Sequence, residues 1–289
     1  MRRPLALAVP LAAVAAIALA GCGDSGSPSA DQGMSATQMI AEASAKTEAQ
    51  QSYHVALSVK GDATAAKDAL GGQVGAVLSQ PIDISGEGTV QKPGKASLDL
   101  SLQLAGSPLQ LNVTKVGAGL YVSALGQAFE LTLPPRTATK ANVGALPSTL
   151  ANWIADPQVV GQEDVDGVSM THITGGIDTQ RFADDVTDLV RSTGDATGSS
   201  AVSPQEVATI RKAVAEDTVD IWIGTDDMLF RRTTVHLKLD DSPATDASVR
   251  GIRLDLDATL SDFGTTQQVT PPAGARKIGL GDAVGALGA

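Results

Sequence analysis

The chain has 289 residues, a formal net charge of −11, 43% hydrophobic residues, only 3% aromatics and one cysteine. The acidic balance leaves no basic stripe and so argues against nucleic-acid binding and against electrostatic docking onto anionic lipid. A lone cysteine excludes an intramolecular disulfide and a cysteine-rich zinc site, and the length suits one large sheet-based domain.

The first segment reads as a processed leader. Arg2 and Arg3 form a positive start, and Leu5 to Ala20 is an apolar run too short for a comfortable membrane span. It ends in Leu19-Ala20-Gly21-Cys22, which resembles the lipobox of bacterial lipoproteins. The resemblance implies cleavage after Gly21, so that 1–21 is a signal peptide, with a diacylglycerol on the sulfur of Cys22 and an acyl chain such as palmitate on the new amino terminus. Residues 22–34 are small and polar, as a flexible tether should be.

Ser35-Ala36-Thr37-Gln38 is a capping box that opens a helix running to about Gln51. Tyr53, Val55, Leu57 and Val59 then alternate with polar partners as a first strand. Between Ala63 and Ser79, Leu70, Val74, Val77 and Leu78 fall at helical spacing, yet Gly71, Gly72 and Gly75 each cost a helix about 1 kcal/mol. The segment reads either as a short helix packed on the sheet or as a flap that gates a pocket mouth.

From Pro81 to Leu133 the chain alternates almost without a break. Ile82, Ile84, Gly86, Gly88 and Val90 share a face; so do Leu98, Leu100, Leu102 and Leu104, and then Leu109, Leu111 and Val113. Short Gly/Pro/Ser turns separate these runs, which marks an antiparallel meander with one apolar and one wet face. Leu146-Pro147 starts a helix expected to run through Trp153 and Ile154 to the stop at Asp156-Pro157. A strand from Val168 to Thr174 follows the Asp166-Gly167 turn.

Asp178 caps a helix with Phe182, Val186, Leu189 and Val190 inward, and Ser203-Pro204 opens another through Val207, Ile210 and Val214. Three strands close the chain, carrying Val219–Ile223, Val235–Leu239 and Ile252–Leu260, the first two joined at Asp226-Asp227. Pro271-Pro272 ends regular structure, and the Gly/Ala-rich tail 273–289 is expected to fray. The layout is α+β: one large curved antiparallel sheet, a half-barrel, with helices on its concave apolar face.

Trp153-Ile154-Ala155-Asp156-Pro157, Asp166-Gly167-Val168, the His172-Ile173-Thr174-Gly175 strand end before Asp178, and Leu260-Ser261-Asp262-Phe263-Gly264 with Pro271-Pro272 carry a further likeness. With the lipobox and tether, 35–272 resembles the LppX/LprA/LprF/LprG lipoproteins of actinobacteria, in the superfamily of LolA, LolB and RseB. The resemblance implies an apolar cavity between sheet and helices that takes acyl chains of lipids or glycolipids. It implies anchorage through Cys22 at the extracytoplasmic face of the cell membrane, and an envelope transport protein as a partner. The expected cavity residues are Leu57, Leu98, Leu100, Leu102, Leu111, Val113, Phe182, Val186, Leu237, Leu254 and Leu256, with Leu70, Val74, Val77 and Leu78 as the gate. No cofactor is implied, and the chain is expected to be a monomer.

Catalytic and metal readings are weak. His54, His172 and His236 sit mid-strand on the polar face, and no Gly-x-Ser-x-Gly elbow, His-Glu-x-x-His helix or phosphate-binding glycine loop is present. Glu163-Asp164-Val165-Asp166-Gly167 lacks the third acid and the distal glutamate of a calcium loop, and Asp184, Asp185 and Asp188 read as solvating a helix. Two non-enzymatic readings stay open: a lipid carrier or chaperone, and an envelope-stress sensor or scaffold that acts on a protein.

Overall fold

A computed structural model describes residues 33–62, 81–104, 107–132, 146–182, 184–185, 208, 212–240 and 250–279. Twelve strands form one open sheet among the described residues: β1 Ser52–Asp62, β2 Ile82–Gln91, β3 Lys95–Leu104, β4 Ser107–Val116, β5 Gly119–Ala124, β6 Gln127–Thr132, β7 Ile154–Val165, β8 Val168–Ile177, β9 Val214–Gly224, β10 Phe230–Leu239, β11 Arg253–Ser261 and β12 Arg276–Gly279. Two helices accompany them, α1 Ala36–Ala49 and α2 Leu146–Ala151. The strand order β12-β6-β5-β4-β3-β2-β1-β11-β10-β9-β8-β7 makes β1 a seam between two meanders. On one side β2 to β6 follow in chain order; on the other, β11 back to β7 are also successive neighbours. The fold is therefore the expected α+β type, dominated by antiparallel pairing.

The meander turns are where the sequence puts them. Gly94, Gly117 and Gly126 hold φ of +63°, +60° and +75°, conformations that a Cβ would strain. The Gly94 carbonyl accepts from the Gly117 amide at 3.0 Å, tying two neighbouring turns together.

Four expectations are corrected. Ile154 leaves the helix after Ala151 and starts β7, a strand that passes through Pro157 only because it pairs with β8 alone and is bulged on either side of Gln158–Val159. Val214 opens β9 rather than closing a helix, because it lies beside Leu239 in the ladder to β10. Regular structure does not stop at Pro271-Pro272: Arg276–Gly279 pairs as β12 with β6. That pairing is parallel, so the sheet is not purely antiparallel.

α1 begins in the capping box. The Ser35 hydroxyl accepts from the Gln38 amide at 3.3 Å, and the Gln38 side chain accepts from the Ser35 amide at 2.9 Å. Ala36, Ile40, Ala43 and Thr47 recur on one helical face and are buried. Thr47, 1% exposed, receives the Phe230 amide on its hydroxyl at 3.0 Å and so fixes the end of α1 to the start of β10. α1 packs on β7, β9, β10 and α2, all on one side of the β1 seam.

Candidate functional site

The pairing register turns the alternating residues into rows across the sheet. Val219, Val235, Leu256, Val59, Ile84, Leu102 and Leu109 are successive partners in one row. The next contains Ile221, Thr233, Ala258, Leu57, Gly86, Leu100 and Leu111. A third runs Leu260, Val55, Gly88, Leu98, Val113, Val122 and Phe129. Side chains directly opposite in such rows are neighbours on one face, so the sheet carries a continuous aliphatic surface from β9 to β6.

Glycines shape the middle of this surface. A Cβ on Gly86 would lie 2.3 Å from Leu100 Cδ2, and one on Gly88 would lie 2.0 Å from the Ser97 carbonyl oxygen. Leu98 and Leu100 therefore lean over β2 in space that any larger residue would occupy.

Beyond the seam the surface is a packed core. Val219 and Ile221 are 0% exposed, and Ile223, Val235, Leu237 and Leu239 are also buried, in one cluster with Ile40 and Ala43 of α1 and Ala151 of α2. Between α2 and β10–β11 only about 10 Å³ is free, beside Leu150, Phe230 and Leu260. Trp153 and Phe182 meet edge to face at 5.1 Å, and the Trp153 indole donates to Asp185 at 2.7 Å. Asp185 is thus a structural acceptor, not a merely solvating acid.

On the β2–β6 side the same residue types are less covered. Leu100, Leu102, Leu109, Leu111, Val113, Leu120 and Val122 are half-buried, while Leu98, Ala124 and Phe129 are buried. The main contacts of α1 and α2 with the sheet fall on β7, β9 and β10, while Val90, Ala96 and Leu98 of β2 and β3 share the core cluster of Ile40 and Ala43.

Of the expected cavity residues, Leu57, Leu98, Leu100, Leu102, Leu111 and Val113 belong to this continuous surface, with Leu254 and Leu256 next to the seam. Leu237 is buried in the packed core, and Phe182 is held against Trp153 at its margin. Val186, the expected gate residues Leu70, Val74, Val77 and Leu78, and Cys22, expected to be lipidated, lie outside the described residues. Leu109, Leu120, Val122 and Leu131 extend the surface and were not singled out, although their period-two spacing is the same signal.

The opposite face is polar and networked. His172 stacks on Trp222 at 4.5 Å, its Nε2 lies 2.9 Å from Asp220, and the Trp222 indole donates to Glu163. His172 is thus engaged in a cluster across β7, β8 and β9, whereas the side chain of His236 is 76% exposed. Arg232 grips Asp257 with two bonds of 3.1 and 2.5 Å; that hydrogen bond, outweighing desolvation, lifts its guanidinium above the usual arginine range. Among the described residues no group of three or more His, Cys, Asp or Glu could hold a metal ion, and no helix is long and apolar enough to cross a membrane.

A family model described as LppX_LprAFG lipoprotein matches residues 35–202. No curated protein sequence matches the chain. Among solved structures, lipoprotein LppX of Mycobacterium tuberculosis is 18% identical, with 81% of this chain and 99% of that one covered at a TM-score of 0.45. LprF of Mycobacterium bovis is 16% identical over 83% and 97%, also at 0.45. A LolA superfamily protein of Nitrosomonas europaea is 9% identical over 82% and 96%, at 0.27.

Proposed function

From a chain that belongs to the LppX_LprAFG lipoprotein family, we propose a cell-envelope protein that binds the acyl chains of a lipid or glycolipid on the apolar face of its sheet and carries or chaperones them. The observation behind this reading is the aliphatic surface that continues at half exposure past β1, away from the main contacts of α1 and α2. A patch of Leu and Val with few polar handles suits a hydrocarbon chain, which offers area and no hydrogen bonds. At about 25 cal/mol per Å² of apolar surface removed from water, an acyl chain laid along two such rows gains several kcal/mol.

In this reading Cys22 holds the protein at the extracytoplasmic face of the membrane, the ligand is exchanged with a transport protein of the envelope, and neither cofactor nor catalysis is involved. Native mass spectrometry of the full chain with Cys22→Ala tests it: a co-purifying lipid is expected on the folded protein. If no lipid is retained or taken up from vesicles, the face is covered core, and the sensor or scaffold reading takes its place. In cells, Cys22→Ala should leave the protein unprocessed or released, and unchanged membrane association would refute the anchor.

A further inference from the structure

A cavity lies on the polar side of the sheet, opposite the aliphatic rows. It occupies about 730 Å³ between the β7–β8 turn, the β9–β10 turn and the exit of β11. Its apolar lining is Val165, Val168, Met170, Trp222 and Phe263. The register break between Phe230 and Arg232 inserts Arg231 as an extra residue, so that two consecutive arginines line the same space.

The charges of this cavity are unbalanced in one direction. Arg231 is paired with Asp227 and lies over the Phe263 ring at 4.7 Å, and Arg232 is paired with Asp257. Asp166 and Asp262 line the cavity as well; Asp166 acts on Arg232 through space, and Asp262 accepts from the Ser261 hydroxyl at 3.4 Å. The hairpin from Ile154 to Ile177 adds Asp156, Glu163 and Asp164 and contains no lysine or arginine. An anionic group would enter against this excess of carboxylate, whereas a cation with an apolar body would satisfy both parts of the lining. A second copy of this chain, at a net charge of −11, would bring acid to acid.

We propose that this cavity docks an extended basic segment of a partner protein, with an apolar side chain seated beside Val168 and Met170 and a lysine or arginine held by Asp166 and Asp262. Two features call for a peptide rather than a small amine. The volume exceeds that of one side chain. β7, which ends in the turn that lines the cavity, has an outer edge that no described strand pairs.

The test is calorimetric titration of the full chain carrying Cys22→Ala with a capped nonapeptide of alternating lysine and valine. One peptide per chain is expected, with affinity that falls with salt. The double variant Asp166→Asn/Asp262→Asn should weaken it at least tenfold; both positions have positive φ, +54° and +49°, which asparagine accepts, so the fold should persist. Val168→Ser, at a 38% exposed position, should weaken it independently.

Absence of binding, undiminished binding to the double variant, or equal binding of a glutamate–valine peptide or of lysine amide would overturn the proposal. So would preferential binding of phosphatidylglycerol vesicles at Arg231 and Arg232, or self-association through this face. Lipid retention on the same preparation reports the other side of the sheet, so either reading can fail without the other.

Discussion

The two wings of the sheet, β2 to β6 and β7 to β11, present the same kinds of residue to the same face and differ in what lies against them. Ile221 and Leu111 lie in one row, separated by the partners Thr233, Ala258, Leu57, Gly86 and Leu100. Ile221 is 0% exposed beneath the helix side of the fold, whereas Leu111 is half-buried. A strand's alternation therefore specifies a face and not its use. Whether an aliphatic row becomes dry core or an accessible floor is decided by the helices placed over it, here through Ile40, Ala43, Thr47, Leu150 and Ala151.

The largest expected effect separates the wings directly. Ile221→Ala should destabilise the domain by about 2–5 kcal/mol, since it opens a cavity in packed surroundings. Leu111→Ala should cost about 1 kcal/mol or less, because a half-exposed leucine loses less transfer energy. Urea denaturation of both variants checks this, and equal losses would mean that the β2–β6 wing is as closed as the other.

The seam can be probed by pH. Tyr53 on β1 is 2% exposed, and its phenol is pushed up to about 12, mainly by burial and then by Glu48. A folded-state value above the unfolded one gives stability that is complete below pH 10 and lost as pH rises through about 12, a linkage worth roughly 2–3 kcal/mol. Tyr53→Phe should remove that component of alkaline unfolding, measured by denaturant titration between pH 9 and 12. An unchanged alkaline limb would show that other groups set it.

Most of the β2–β6 wing was legible because its face periodicity and its Gly/Pro turns are both local signals. So was the cap of α1, where Ser35 and Gln38 are three residues apart. β7 was hidden because Asp156-Pro157 reads as a helix stop, and only an edge position with bulges accommodates that proline in a strand. β12 is four residues long and is specified by its partner β6, more than 140 residues away, rather than by its own pattern. The distinction between the packed Leu237 and the half-buried Leu102 was not legible, since both alternate identically. The outer cavity was missed for the same reason: Trp222, Arg231 and Asp262 come from three separate segments and meet only in the register.

A plug on the floor sharpens the comparison with a binding readout. Leu100→Trp places an indole beside Leu57, Gly86 and Leu111 at a half-buried site. Lipid uptake is expected to fall about tenfold, equivalent to about 1.4 kcal/mol, with the denaturation midpoint little changed. Uptake unaffected by this and by a second plug at Leu111 would return the face to filled core.

The smallest effect tests whether the wings respond separately. Ser35→Ala removes the acceptor for the Gln38 amide, while the backbone amide of residue 35 can still donate to the Gln38 side chain. The loss should be about 1 kcal/mol, typical of an N-cap. It falls on α1, whose main sheet contacts are with β7, β9 and β10. Hydrogen exchange should therefore quicken in the first turn of α1 and in the covered amides of β9 and β10, while β3 to β5 keep their rates. Equal quickening across both wings would mean that helix and sheet open as one unit. The half-buried floor would then owe its exposure to something other than the placement of α1.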